Sequence, residues 1–132
     1  MTCRGIRGAV CAEANRVEAI LEATTLLLEH IVEANDLVVE DLVSATFTAT
    51  HDLDAAYPAR AARALGWSHV PLLCMQEMAV PGSLRRCIRV LLHWNTDQSP
   101  EEIRHVYLGA ARGLRPDLAN LPGRETTGKE SN

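Results

Sequence analysis

The strongest constraint on this chain is that one long stretch has helical periodicity while most other apolar segments have strand periodicity. Val17, Ile20, Leu21, Leu27, Leu28 and Ile31 fall on one face at helical spacing, with Thr24 as the one interruption. Asn15 can cap the first turn, and Glu18, three residues on, completes a capping-box pattern. The spacing therefore predicts one amphipathic helix running to about Ala34, with Asn35 as a left-handed stop. Strands are expected at residues 3–11, 42–50, 70–74 and 86–95, and 106–108 adds a shorter one. In the fourth, Ile88, Val90, Leu92 and Trp94 alternate with Cys87, Arg89, Leu91 and His93. The first set faces the core helix, and the second faces something else. Residues 58–65 read as a short helix stopped by Gly66, and Ser99-Pro100-Glu101-Glu102 is a capping box with Pro at the first helical position. The fold class is α+β, a mixed β-sheet packed on one long helix. One helix covers one sheet face, so in a small domain the other face is left for oligomerisation to cover.

With 132 residues the chain is one domain by length, long enough to build a core without disulfide or metal staples. Only 4% of residues are aromatic, so that core must be made of Leu, Val, Ile and Ala. Composition shifts once: a domain spanning 1–118 gives way to a polar, turn-rich tail at 119–132, expected to be disordered. The net charge of -4 leaves no basic excess to displace counterions from phosphates, which argues against a nucleic-acid partner. No apolar run approaches the roughly 18 residues needed to span a membrane. Arg4 and Arg7 are not followed by the apolar region of a signal peptide. The four cysteines form no C-x-x-C pair and have no partnered histidine spacing, so they read as free thiols in a reducing compartment. A soluble, cytoplasmic protein with neither metal nor cofactor is expected.

The informative oddity is arginine in the middle of strands. Arg7 lies between Gly5 and Ala9 on its strand face, where small neighbours leave room for a ligand. Arg89 lies between Cys87 and Leu91, on the face opposite the apolar row. Each is also consistent with a solvated face or a carboxylate partner across the sheet. If a second subunit covers that face, however, a buried guanidinium needs an anion. Arg60 and Arg63 sit three apart after Tyr57-Pro58, and Arg115 follows Leu114; all three also suit a solvated surface. Glu77, in C-M-Q-E-M, is flanked by apolar residues and suits either acid–base work or loop bracing. Cys74 has no evident base, the histidines are scattered, and Ser83 lacks a nucleophile-elbow context. What remains is an anion pocket rather than a covalent or metal site.

The blocks R-G-I-R-G-A, Y-P-A-R-A-A-R, V-P-L-L-C-M-Q-E-M-A-V-P-G-S-L-R-R-C-I-R-V-L, I-R-H-V-Y-L and L-R-P-D-L occur in order over residues 1–118. In this the chain resembles the monofunctional chorismate mutases of the non-helical, Bacillus type. The resemblance implies a trimeric pseudo α/β barrel, with sheets at the centre, helices outside and active sites in clefts between subunits. It also implies that Arg7, Tyr57, Arg63, Cys74, Glu77, Arg89, Tyr107 and Arg115 form the site. Ala59, Arg60, Leu73, Met78 and Leu114 would line or close it. Chorismate would then be the small-molecule substrate, rearranged to prephenate.

That rearrangement is a unimolecular pericyclic shift needing no acid, base, nucleophile or metal, so a protein supplies shape and charge. On the resemblance, Arg7 and Arg115 hold carboxylates and Glu77 accepts the ring hydroxyl. Arg89 meets charge growing on the ether oxygen, Tyr107 positions a carboxylate, and Arg63 closes over the site. Two other readings fit the residues: a non-catalytic trimer that binds a small dicarboxylate, and a structural oligomer whose arginines pair with a neighbour's carboxylates.

Overall fold

Residues 2–119 are described by the structure, a computed structural model. Five strands form one sheet: β1 (Thr2–Cys11), β2 (Leu42–Ala49), β3 (Leu72–Gln76), β4 (Cys87–Thr96) and β5 (Val106–Tyr107). Their order is β3-β2-β4-β1-β5. The sheet is mixed because β4 pairs antiparallel with both β1 and β2, whereas β2/β3 and β1/β5 are parallel. Helix α1 (Val17–Asn35) and the short α2 (Ala59–Ala64) supply the helical layer. This is the α+β arrangement expected, with every anticipated strand present to within two residues. The largest shift is in β3, which starts at Leu72 rather than 70. Val70 still belongs to a turn, its N–H donating to the Trp67 carbonyl, and Pro71 has no N–H to offer a ladder.

The alternation in β4 comes out as read. Ile88, Val90, Leu92 and Trp94 are buried, and with Ile6, Val10 and Phe47 they form the sheet side of the main core. Ile20, Leu27, Leu28 and Ile31 of α1 complete that core and are fully buried. Each such side chain contributes at most about 1.5–3 kcal/mol from removal of apolar area. Close approach of α1 depends on Gly8. A Cβ there would lie 2.8 Å from the Ile31 Cδ1, 3.1 Å from a Leu27 methyl and 3.2 Å from the Val106 carbonyl oxygen. Thr24, the interruption in the apolar stripe, is fully buried and donates its hydroxyl to the Ile20 carbonyl at 2.7 Å, so no polar atom is stranded.

Both ends of α1 differ from the sequence reading. Helix α1 starts after Arg16, whose side chain makes no capping bond, and Asn15 is not its cap. Asn15 instead braces the loop before α2: its Oδ1 accepts from the N–H groups of Asp54 and Ala55, both at 3.0 Å, and its amide donates to Asp54 at 2.8 Å. At the other end the left-handed residue is Asp36 (φ 50°), one residue later than expected. Asn35 stays helical and buried because its amide spans two backbones: it donates to the carbonyls of Ile31 and Arg104 and accepts from the Arg104 N–H. That bond set ties the end of α1 to the segment leading into β5. The Ser99–Glu102 capping box is present on a single 3-10 turn, and Gly66 stops α2 with φ 91°.

Among the described residues no long helix packs along the second sheet face. Leu73, Met75 and Leu91 are 57%, 50% and 39% exposed there, which is the bare apolar surface inferred above. One end of it is covered by the chain itself. The 3-10 segment Gly109–Leu114 folds back so that Ala111 and Leu114 pack on Ala9, Cys87 and Tyr107. The tail expected at 119–132 lies, beyond Ala119, outside the described residues. Among the described residues no helix is long and apolar enough to cross a membrane.

Candidate active site

The open face carries its polar side chains in register. In one row Tyr107 lies opposite Ala9, Ala9 opposite Arg89, Arg89 opposite Thr48, and Thr48 opposite Met75. In the next row Arg7 lies opposite Leu91, which lies opposite Thr46. Alternation alone fixes which residues share this face, but strand order decides that Arg7 and Arg89, 82 positions apart in sequence, become diagonal neighbours on β1 and β4. The chain after β5 then brings Leu114 and Arg115 back over the same place. The result is a cleft of about 580 Å³ lined by Arg7, Thr46, Thr48, Met75, Glu77, Arg89, Leu91, Tyr107, Leu114 and Arg115.

Its electrostatics are built from three guanidiniums. Arg89 Nε stands 3.4 Å from Glu77 Oε2. The same carboxylate oxygen accepts the Thr48 hydroxyl at 2.6 Å, so Glu77 is held from two sides. Arg115 makes a two-pronged fork to Asp117, with Nε at 3.1 Å and Nη2 at 2.9 Å from its two oxygens, and the bond holds the guanidinium pKa above its usual value. This fork has the geometry by which arginine grips any carboxylate. The Arg7 backbone N–H donates to His105 Nδ1 at 2.9 Å, which locks its strand position. Tyr107 is 5% exposed, and burial raises its pKa while Arg7, Arg115 and Arg89 pull the other way. Its phenol is therefore a neutral donor at neutral pH. Three cations face two carboxylates, so the cleft carries an excess positive charge inside an acidic protein.

Of the thirteen site residues expected from sequence, Arg7, Glu77, Arg89, Tyr107, Leu114 and Arg115 are brought together in this cleft. The others are not. Tyr57, Arg60 and Cys74 line a second cleft of about 490 Å³ on the helix side of β3, along the 51–58 loop. Cys74 also packs on the main core, which makes it a wall. Ala59 is buried in the core, and Arg63 is exposed on α2. Leu73 is exposed on the edge strand, and Met78, at 78% exposure, borders a small pocket at the loop after β3. One chain thus presents two separate groups on the two sides of its edge strand, with Met75 touching both clefts. Thr46, Thr48 and Met75 were missed by the sequence reading. The alternation of Thr46 and Thr48 around buried Phe47 was the available signal that two hydroxyls share the open face.

Among the described residues no group of three or more His, Cys, Asp and Glu side chains could hold a metal ion. The arrangement suits the binding of a small polyanion and the stabilisation of negative charge.

Comparison with known proteins agrees with the resemblance in the motifs. The family model for chorismate mutase type I matches residues 3–118. The chorismate mutase AroH of Thermus thermophilus is 53% identical over 116 residues, covering 87% of this chain and 95% of that protein. The chorismate mutase AroH of Bacillus subtilis (strain 168) is 50% identical over 120 residues, covering 90% and 94%. The solved structure of a chorismate mutase from Clostridium thermocellum superposes with a TM-score of 0.83 at 48% identity, over 84% of this chain and 99% of that one. With the family match running from the first strand through the residues that close the arginine cleft, the chain belongs to the chorismate mutase type I family.

Proposed function

We propose that this chain is a chorismate mutase that rearranges chorismate to prephenate at sites shared between the subunits of a homotrimer. The observation that carries the mechanism is the Arg89–Glu77 pair, set between Arg7, Arg115 and the buried Tyr107. Chorismate brings two carboxylates, a ring hydroxyl and an enol-pyruvyl ether. Arg7 and Arg115 bind the carboxylates, Arg115 exchanging its fork from Asp117 to the substrate, and the Tyr107 hydroxyl donates a further hydrogen bond. Holding both ends selects the folded conformer with the two carbons to be joined within near-attack distance. Glu77, oriented by Thr48, accepts the ring hydroxyl. As the carbon–oxygen bond breaks, negative charge grows on the ether oxygen, and a fixed Arg89 binds that transition state more strongly than the ground state.

The two clefts are the halves of one site. The exposed Leu73, Met75 and Leu91 give a partner subunit its apolar seat. A neighbour's second cleft, with Tyr57, Arg60 and Cys74, then faces the arginine cleft, and that neighbour's exposed Arg63 closes over bound substrate. The trimer is a pseudo α/β barrel with sheets inside and α1 outside. Residues 1–118 form the mutase unit and 119–132 a tail beyond it. The protein needs no metal or cofactor, and acts in the cytoplasm.

Following loss of chorismate absorbance and appearance of prephenate, with and without chelator, tests the activity. Because Arg7 and Arg89 share one chain's cleft, the informative mixture is Arg89→Ala with Arg63→Ala, one from each group. Reassembled mixed trimers should recover activity that neither variant has alone. A stable monomer in sedimentation at micromolar concentration would overturn the shared-site reading, and absence of turnover in the folded protein would overturn the function.

A further inference from the structure

Cys11 and Cys87 lie directly opposite each other on β1 and β4. One step along the ladder, the Ala12 N–H donates to the Arg86 carbonyl at 2.8 Å. The Cys87 N–H and carbonyl instead turn to Thr50, each bond being 3.0 Å, so they point away from β1. Cys11 and Cys87 therefore occupy a non-hydrogen-bonded pair of the antiparallel ladder, the kind whose side chains come closest, with Cα atoms about 4.5 Å apart. That separation lies inside the roughly 4.4–6.8 Å range over which disulfides form. The two thiols are near enough to shift each other's ionisation. Cys87 is 2% exposed beneath Leu84 and the 109–114 segment, while Cys11 is only half-buried. Cys3 lies opposite Asn95 at the far end of β1, and Cys74 opposite Phe47, so neither competes for the pairing.

We propose that Cys11 and Cys87 are a thiol-modification site: they close to a reversible disulfide by exchange with a low-molecular-weight disulfide, and the closed form turns over more slowly. The neighbouring Cys87 thiol and then the Arg86 guanidinium hold the Cys11 pKa at about 7, against burial and Asp52, which act to raise it. The Cys87 thiol is pushed up, first by its Cys11 neighbour and then by burial. Cys11 is thus the attacking thiolate and Cys87 the resolving thiol. The Cys11 sulfur attacks one sulfur of the small disulfide, whose S–S bond breaks and releases one small thiolate. Cys87 then attacks the Cys11 sulfur of the mixed disulfide and releases the second, its proton passing to the departing thiolate. Two electrons pass from the protein dithiol to the small disulfide, which leaves as two thiols.

Closure draws the two sulfurs together to a covalent bond of about 2.05 Å. It does so two residues from Arg89 and under Leu114, which precedes Arg115. Misplacement of a reacting group by about 1 Å can cost about 100-fold, so a smaller strand shift should lower kcat/KM roughly tenfold. The effect on turnover rests on the mutase reading, whereas bond formation does not.

The test uses the native full-length protein at neutral pH with oxidised glutathione, followed by alkylation and peptide mass analysis. The expected product is a Cys11–Cys87 cross-link, with Cys74 alkylated and Cys3 either alkylated or in its own mixed disulfide. Turnover should fall roughly tenfold and return with dithiothreitol. Cys11→Ser should keep the reduced protein's activity and lose the redox response. A stable mixed disulfide on Cys11 with Cys87 still alkylatable, or an unmodified Cys11, would overturn the site. A cross-link formed in an active enzyme without loss of turnover would overturn its regulatory consequence. A reduced protein that never rearranges chorismate would instead defeat the mutase reading, and the mass analysis would still decide the bond.

Discussion

Arg89 is where stability and catalysis separate most cleanly. Its guanidinium lies 3.4 Å from Glu77, with side chains 46% and 23% exposed. A pair that open to solvent contributes roughly 0–1 kcal/mol to folding. Arg89→Ala should therefore lower Tm by no more than a few degrees. The effect on chemistry is far larger. Loss of one preorganised group facing developing oxyanion charge costs about 2.7–4 kcal/mol, or 100- to 1,000-fold in kcat. KM should change only a few-fold, because the ether oxygen is uncharged in the ground state and the carboxylates are held by Arg7 and Arg115. Steady-state kinetics on the variant, beside thermal unfolding and sedimentation, gives all three quantities. Arg89→Lys keeps the charge but loses the planar fork, and should fall between the two proteins. Citrulline at position 89, which is neutral with nearly the same donors, should lose most of the activity. If that isostere kept near-full kcat with fold and assembly intact, charge at the ether oxygen would not be what accelerates the reaction, and conformer capture alone would have to account for it.

Three further outcomes follow from specific contacts. Thr48→Val removes the 2.6 Å hydrogen bond to Glu77, and since a bond to a charged group is worth about 1.5–3 kcal/mol, kcat/KM should drop at least roughly tenfold with Tm little changed; wild-type kinetics would mean that Arg89 alone orients Glu77. Gly8→Ala sets a methyl 2.8 Å from Ile31 and 3.2 Å from a backbone carbonyl that cannot rotate away, so overpacking should cost about 1–3 kcal/mol in urea unfolding, and an unchanged midpoint would show that α1 moves freely. Asp52 is desolvated, which raises its pKa, but hydrogen bonds from the Thr50 hydroxyl and the Arg86 N–H outweigh this and hold it below the ordinary 3.8. A depressed folded pKa gives stability that is complete above the unfolded value and lost as pH falls through the folded one, so the stability gap between wild type and Asp52→Asn should be full near about pH 6 and shrink below about pH 4. A gap that stays constant into strong acid would rule out Asp52 as the source.

Local pattern alone determined the element types. The strand spans, the partition of Ile88, Val90, Leu92 and Trp94 from Arg89 and its neighbours, the α1 stripe and the Ser99–Glu102 box were all readable, because each depends on residues within one or two turns or pleats. The motif blocks likewise pointed to the family, and with it to six residues that the fold does bring into one cleft. Tertiary structure decided what local chemistry leaves degenerate. Asn15 and Asn35 both suit a helix terminus by type, yet each found a better set of partners in a distant backbone, at Asp54–Ala55 and at Arg104. The buried Asn35 amide goes where all of its bonds can be satisfied, and exposed Asn15 goes to the backbone N–H groups that the 54–55 loop presents, both places being set by packing. Thr48 on Glu77 and Cys11 on Cys87 depend on which strands are neighbours and in what register, and no window of sequence contains both partners. Register follows from a whole sheet burying one face against α1, with Gly8 admitting the helix, so the open face inherits its arrangement from choices made on the other side.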